Sequence, residues 1–435
     1  MVVVMKKITT IVMILTLVIT SISVISNAQI IKLGNIEINP CGINQNISLL
    51  RGEHYLYLTA KQNVISFNIK YSFPPEYGYQ YPIYLEILDD TDANILNYKI
   101  EDDIFEPNKI INFTCGQIKK GDKVLIHFNC WVLIRDYNYE DLPNYIKIPK
   151  FDELPDEVKK WTSSTEVVQS DNFLIKLRAK ELKLFSNNNL LKIANNIAKF
   201  SKYHRYLFFI VHYKFQRILQ YPSQDALTTL LVNGECPGRS HLGCALFRAN
   251  GIPARVTLSM PTRYDFWYEI HYTTQYYCPG FDWILTEVHA GITPYATQNQ
   301  IILRFCYPED ENNTQADYIS RRMKSLERWM WFDNENIKPY YNNFKEGSTR
   351  IKSFAENSIN IDLNVVNETV NLTKIVFNKY QKFLNTNMTG ENLINFDIGQ
   401  NYIKKAVSEL SSSNDAFGYI YYINKANYRF DLIII

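Results

Sequence analysis

The sequence predicts an α+β protein: helices packed on an antiparallel sheet, with an N-terminal β-sandwich before that core and a small C-terminal β module after it. Three observations carry this. Apolar residues recur at helical spacing from Leu174 to Ala249 and give way to strand-like segments between Arg255 and Val288, the order of an α+β unit. Residues 30–135 hold short alternating runs separated by Pro, Gly, Asn and Asp clusters, as sandwich strands do. Residues 350–435 alternate again. The chain, 435 residues long with 46% hydrophobic and 21% charged residues, is long enough for about two or three domains, and its bulk is neither disordered nor membrane-spanning. With only 16 Gly, 16 Pro and 7 Cys it is no collagen, coiled coil or small disulfide scaffold.

The elements follow in order. Lys6 and Lys7 precede an apolar run from Ile8 to Ile25, and Ser26-Asn27-Ala28 places small residues where a signal peptidase reads, so residues 1–28 are expected to be a secretory signal. The other reading of this segment is an uncleaved anchor helix. Either way, the rest is expected outside the cytoplasm, secreted or held at a membrane only through that anchor. Residues 29–148 form the sandwich-like domain, with strands at His54–Thr59, Val64–Tyr71, Tyr84–Leu88, Lys109–Phe113 and Lys123–Arg135. Asp90 to Asn94 brushes a calcium-loop pattern, but Ile95 stands where that loop needs Gly, so it reads as a polar hairpin loop.

Residues 149–345 form the α+β domain. After an irregular stretch from Pro149 to Asp171 come stripes at Leu174–Leu184, Leu190–Phe200 and Tyr206–Leu219, then strands at Arg255–Ser259, Phe266–Tyr277 and Trp283–Val288. An amphipathic piece with Trp329 and Trp331 follows. Residues 346–435 read as the β module, with strands at Ser358–Val366, Leu393–Ile398 and Tyr419–Ile423 and a terminal strand at Phe430–Ile435.

The chemistry concentrates between Asp225 and Gly291. Asn233-Gly234-Glu235 is a turn, Cys236 follows, and Leu242, Ala245, Leu246 and Ala249 then keep helical spacing until Asn250-Gly251. Pro237 suits a first helical turn. Cys236 therefore stands at a helix N-terminus, where unpaired N–H groups and the helix dipole favour a thiolate. A nucleophilic thiol needs a base, and the base an orienting group. His271 lies 35 residues on, and Glu287 16 beyond it, in two strands joined by Pro279-Gly280. Antiparallel neighbours can set an imidazole beside a carboxylate. His289 points to the same face as Glu287 and could stand in for it. His241 falls on another face of the helix and reads as structural, as does Cys244; Arg255 reads as a structural ion-pair partner, and Trp267 and Tyr268 as cleft or core aromatics.

These residues match a family. Gly234-Glu235-Cys236, followed by Ala245-Leu246-Phe247-Arg248-Ala249-Asn250-Gly251-Ile252-Pro253-Ala254-Arg255, resembles the core of the transglutaminase-like superfamily. His271-Tyr272, Tyr277, Pro279-Gly280 and Trp283 stand at that family's offsets. The resemblance spans about 70 residues closely. It implies a papain-like fold and a triad in which Cys236 attacks an amide carbonyl, His271 carries the proton and Glu287 orients His271. The family usually has Asp at the third position. Thr273 and Gln275 also replace its Trp and Glu, which bears on substrate contacts rather than on the triad.

The expected function is an exported cysteine-dependent acyl-transfer enzyme on protein or peptide amides, with hydrolysis favoured over transamidation. The alternative is a non-catalytic surface protein binding peptide or glycan through its β modules. Beyond the first 28 residues the chain has 44 basic and 44 acidic residues, which gives no charge argument for nucleic acid or an anionic membrane as partner. No His-Glu-x-x-His, Cys-x-x-Cys or phosphate-cradling Gly loop occurs, so no metal or other cofactor is expected. The cysteines are Cys41, Cys115, Cys130, Cys236, Cys244, Cys278 and Cys306, an odd number that leaves at least one unpaired within the chain. Cys115 and Cys130 flank the Lys120-Gly121-Asp122 turn, as either a cross-hairpin disulfide or two buried thiols.

Overall fold

The protein is described from a computed structural model, over residues 31–33, 36–38, 43–92, 94–137, 139, 142–203, 224–231, 234–262, 270–312, 330–340 and 350–434. The signal segment, Cys41, the stripe at Tyr206–Leu219, Trp267, Tyr268 and Trp329 lie outside them.

After a short antiparallel ribbon of Ile31–Leu33 against Ile36–Ile38, six strands follow: β1 Ile43–Ala60, β2 Phe67–Phe73, β3 Gln80–Ile87, β4 Ile95–Asp102, β5 Lys109–Cys115 and β6 Lys123–Tyr137. Helices α1 Phe173–Lys183, α2 Leu190–Tyr203, α3 Ala226–Leu231 and α4 Cys236–Ala249 follow. Strands β7 Ala254–Pro261, β8 His271–Cys278, β9 Asp282–Thr286 and β10 Gln300–Phe305 then form an antiparallel sheet in the order β9-β8-β7-β10. This is the expected mixed class, with the helices before their sheet.

The opening strands form a sandwich, but not from residues 29–148 alone. Strands β11 Met330–Phe332, β12 Ile337–Pro339 and β13 Arg350–Asn360 return to complete it. One sheet runs β11-β2-β5-β4; the other runs β12-β1-β6-β3, with β13 also pairing β1. The 18-residue β1 is long enough to pair β13 through Asn46–Tyr55 and β12 through Leu58–Ala60 along the same edge. The expected boundary near residue 345 therefore falls between strands of one sheet. Cys115 and Cys130 sit in opposite sheets, both buried and unlinked, because the Lys120-Gly121-Asp122 turn carries the chain across the sandwich rather than back along a hairpin.

The C-terminal β module is corrected. Beyond β13 the chain forms three helices, α5 Leu363–Leu384, α6 Gly390–Ser412 and α7 Ala416–Asp431. Buried Val366, Val370, Thr373, Phe377 and Tyr380 recur on one face of α5, a helical period carried by β-branched and aromatic residues whose strand propensity suggests the opposite. Phe430, expected in a terminal strand, ends a helix packed at Gly399, where a Cβ would meet its ring at 2.3 Å. Helix α5 covers the sandwich: Phe377 stacks on Phe73 at 5.9 Å, and Tyr380 Oη donates to Leu85 O at 3.0 Å.

The sheet β9-β8-β7-β10 is buried on both faces. Helix α4 covers one: Ser240 Oγ donates to Tyr272 O at 3.0 Å, and Phe247 stacks on Tyr276 at 4.9 Å. The sandwich meets the sheet along β10, where Gln80 exchanges two bonds with the Ile302 backbone at 2.8 and 2.9 Å, and Asn108 two with Phe305 at 2.8 Å. Buried Arg304 pairs there with Asp103 and Asp310. Removing one buried ring from the helix that covers the sandwich tests this architecture: Phe377→Ala is expected to cost about 3–5 kcal/mol, read as a lower urea midpoint.

Candidate functional site

The site is built where α4 begins. Glu235 is extended (φ −79°, ψ −162°), Cys236 is the first helical residue, and Pro237 follows. Asp225 caps α3 by accepting from Thr228 N at 2.8 Å and Thr228 Oγ1 at 2.6 Å, which fixes the chain just before the turn. Gln224 Oε1 accepts from Glu235 N at 2.9 Å and Gly238 N at 3.2 Å, while its backbone oxygen bonds the His241 ring at 2.6 Å. His241 is thus structural, as expected. The turn is tight: a Cβ at Gly238 would lie 2.4 Å from Thr229 Oγ1, and one at Gly234 would lie 2.6 Å from the same atom.

His271 opens β8, paired with Ser259 of β7. The β8–β9 hairpin turns through Gly280 (φ +80°) and Asp282 (φ +56°), setting Thr274 opposite Thr286. Strand β9 ends one residue short of Glu287, which bridges instead to Ile292 through two backbone bonds of 2.9 and 3.0 Å. That register brings Glu287 to His271. Glu287 Oε2 meets His271 Nε2 at 2.5 Å, and Oε1 accepts from His289 N at 2.9 Å. Cys236 also acts on the His271 imidazole and strengthens its hold on the proton, and with Nε2 taken by Glu287, Nδ1 is the ring nitrogen left for the thiol.

The structure therefore brings together Cys236, His271 and Glu287. Glu287 is 1% exposed, whereas Cys236 is half-buried and His271 keeps 17% of its side chain open. Burial works against the His271 proton, but the bonds to Cys236 and Glu287 and the Glu287 charge outweigh it and lift the imidazole to about 10. His289 moves the other way. Burial, then Arg239, pushes it down to about 4, so it is neutral at neutral pH, and its ring stands edge-on to His271 at 6.2 Å. Its backbone, not its ring, holds the carboxylate. Arg255 makes no ion pair among the described residues, against expectation: it lies among the rings of Trp283, Phe305, Tyr77 and Trp161 and donates to Gln275 Oε1 at 2.9 Å. Ring faces on a guanidinium supply the attraction a carboxylate would have given. The sequence carries no signal for Gln224 at the site beyond its place in the Ser-Gln-Asp run that precedes α3.

Residues 189–288 match the family model of the transglutaminase-like superfamily. The chain carries a transglutaminase-like core. That core spans α2 to Val288 and contains the whole cysteine–histidine–glutamate cluster. The crystal structure of a candidate cysteine protease from Cytophaga hutchinsonii is similar in fold: 13% identity over 73% of this chain and 92% of that one, with a TM-score of 0.50. A candidate protease from Parabacteroides distasonis ATCC 8503 matches at 13% identity over 57% of this chain and 44% of that one, TM-score 0.22. The periplasmic domain of TgpA from Pseudomonas aeruginosa bound to ethylmercury matches at 9% identity over 54% and 92%, TM-score 0.24. No curated protein matches the chain.

Two predictions follow from the geometry of this transglutaminase-like core. His271 binds its proton more tightly folded than unfolded, so its stabilising contribution is complete below about pH 6.5, the ordinary histidine value, and is lost as pH rises toward about 10. The urea-midpoint gap between wild type and Glu287→Gln is therefore expected to be largest near about pH 6 and to shrink steadily toward about pH 10. Gly238→Ala, forcing a methyl against Thr229 and Gln224, is expected to cost about 1–3 kcal/mol in the same assay.

Proposed function

We propose that the protein is an exported cysteine-dependent acyl-transfer enzyme acting on protein or peptide amide bonds, with Cys236 as nucleophile, His271 as proton carrier and Glu287 as its orienting acid. One observation supports this most: His271 has one ring nitrogen on a buried carboxylate and feels a half-buried thiol, which leaves its other nitrogen to serve that thiol. That division suits a base which must hold one proton in one orientation.

The steps follow from the groups present. The Cys236 thiolate attacks the amide carbon while His271 holds the proton between them. The C–O π electrons move to oxygen, and the Cys236 backbone N–H faces that oxyanion. Collapse breaks the C–N bond; the amine leaves with the His271 proton, and a thioester remains on Cys236. Water then attacks the thioester, passing a proton to neutral His271, and the acid departs as the thiolate reforms. A primary amine in place of water gives transamidation. Hydrolysis is favoured, because an exported chain meets water everywhere and needs no second substrate. Export rests on the signal-like residues 1–28, and residency outside the cytoplasm is part of this proposal.

Incubating the mature protein with a peptide library, with and without a primary amine, tests it by mass spectrometry. Shortened peptides identify a peptidase, amine adducts a transamidase, and amide-to-acid conversion a deamidase. Unchanged peptides, with a Cys236 thiol alkylated no faster than an ordinary exposed thiol, would return the protein to the non-catalytic binding class. Glu287→Gln is expected to keep the fold and lower turnover by about 10²–10⁴, less than loss of the thiol.

A further inference from the structure

The start of α4 presents three backbone donors that no helical carbonyl can take: the N–H groups of Glu235, Cys236 and Gly238. Pro237 has none. Gln224 Oε1 occupies two of the three, at 2.9 Å from Glu235 N and 3.2 Å from Gly238 N. The Cys236 N–H, by contrast, donates to nothing among the described residues. The single donor left open at this helix end is the one on the same residue as the thiol.

The glutamine is held for this task. It is 4% exposed, its own carbonyl is fixed by the His241 ring at 2.6 Å, and its Oε1 lies 2.7 Å from where a Cβ at Gly238 would stand. Helix starts are usually capped by Ser, Thr, Asp or Asn at the N-cap itself. Here the N-cap Glu235 gives no side-chain cap, and the acceptor reaches in from a residue before α3. A carboxamide serves where a carboxylate would not. It takes the same two N–H groups without placing a negative charge beside the sulfur, so the field at the helix end stays available to an anion.

We propose that Gln224 is a positioning residue for the acyl-transfer step: by engaging the N–H groups of Glu235 and Gly238 with a neutral acceptor, it holds the Cys236 N–H alone, and in one direction, for the oxyanion of the bound carbonyl. The inference rests on the acyl-transfer reading of the site. It separates two reactions of one thiol. Acylation builds an oxyanion and needs the aimed donor; alkylation by iodoacetamide builds none.

The test uses the full chain with p-nitrophenyl acetate as acyl donor and iodoacetamide as alkylating probe. In Gln224→Met, which keeps bulk and removes the acceptor, acylation kcat is expected to fall by about tenfold to a hundredfold with KM little changed, the scale of a misaimed group, while alkylation stays near the wild-type rate. In Gln224→Glu, which keeps the acceptor and adds charge, the pH profile of alkylation is expected to move upward. Equal losses in both reactions of a folded Gln224→Met would make the residue merely structural and overturn the proposal. If Gln224→Met does not fold, the Gln224→Glu profile decides, and an unmoved profile overturns it. A wild-type protein that releases p-nitrophenol no faster than Cys236→Ala defeats the acyl-transfer reading itself, a result distinct from any effect at Gln224.

Discussion

A carboxylate removed from water must be answered by a cation or by hydrogen bonds, and Glu287 is answered by His271 and one backbone amide. Much of the core serves that requirement. The Gly280 and Asp282 turn sets the register of β8 against β9, the Glu287–Ile292 bridge curls the chain after β9, and the curl returns the His289 N–H to the second carboxylate oxygen. With both oxygens engaged, the carboxylate holds the imidazole by one nitrogen and leaves the other to the thiol. Glutamate in place of the family's usual aspartate is accommodated because the acid lies just past the end of β9, where the curl rather than the sheet spacing sets its reach.

The cluster also depends on a sheet that is packed on both sides. Strands β7, β8, β9 and β10 are closed by α4 on one face and meet the sandwich through β10. The contacts on both sides are polar as well as apolar: Ser240 to the Tyr272 carbonyl, Gln80 to Ile302, Asn108 to Phe305, Arg304 between Asp103 and Asp310. Such bonds are directional, so they set the angle of the sheet as well as its burial. The buried Arg248–Glu311 pair at 2.8 Å does the same for the far end of α4, joining it to the segment after β10. The sandwich is therefore part of the scaffold behind the cluster, and the late strands β11, β12 and β13 make it continuous with the rest of the chain.

Two histidines whose rings lie 6.2 Å apart hold different charge states, one cationic and one neutral, because their surroundings differ. His271 has a thiol and a carboxylate; His289 has burial, Arg239 and the cation of His271 itself. The arrangement keeps a single mobile proton at the cluster. A second imidazolium there would draw on Glu287 and loosen its hold on the first.

The residues alone determined what is local. The Gly-Glu-Cys-Pro turn into an apolar helix, the Asn-Gly stop, the Pro-Gly hairpin and the Cys–His–Glu spacing all depend on short-range propensity and on two strands that must pair because so little chain joins them. The fold class and the cluster of Cys236, His271 and Glu287 were legible for that reason. Only the tertiary structure decided the rest. Strands β11 to β13 find their partners in β1 and β2, some 260 to 310 residues earlier, and nothing in their own pattern says which edge is vacant. Helices α5 and α7 carry β-branched and aromatic residues at helical period, and packing of α5 against the sandwich and of α7 against α5 and α6 overrides the strand propensity those side chains have in isolation. Arg255 exchanges a carboxylate for rings supplied by Tyr77 of the sandwich, Trp161 and the sheet. Gln224 acquires its place because a side-chain oxygen meets two amides beyond an intervening helix, a distance in space that no spacing in the chain encodes.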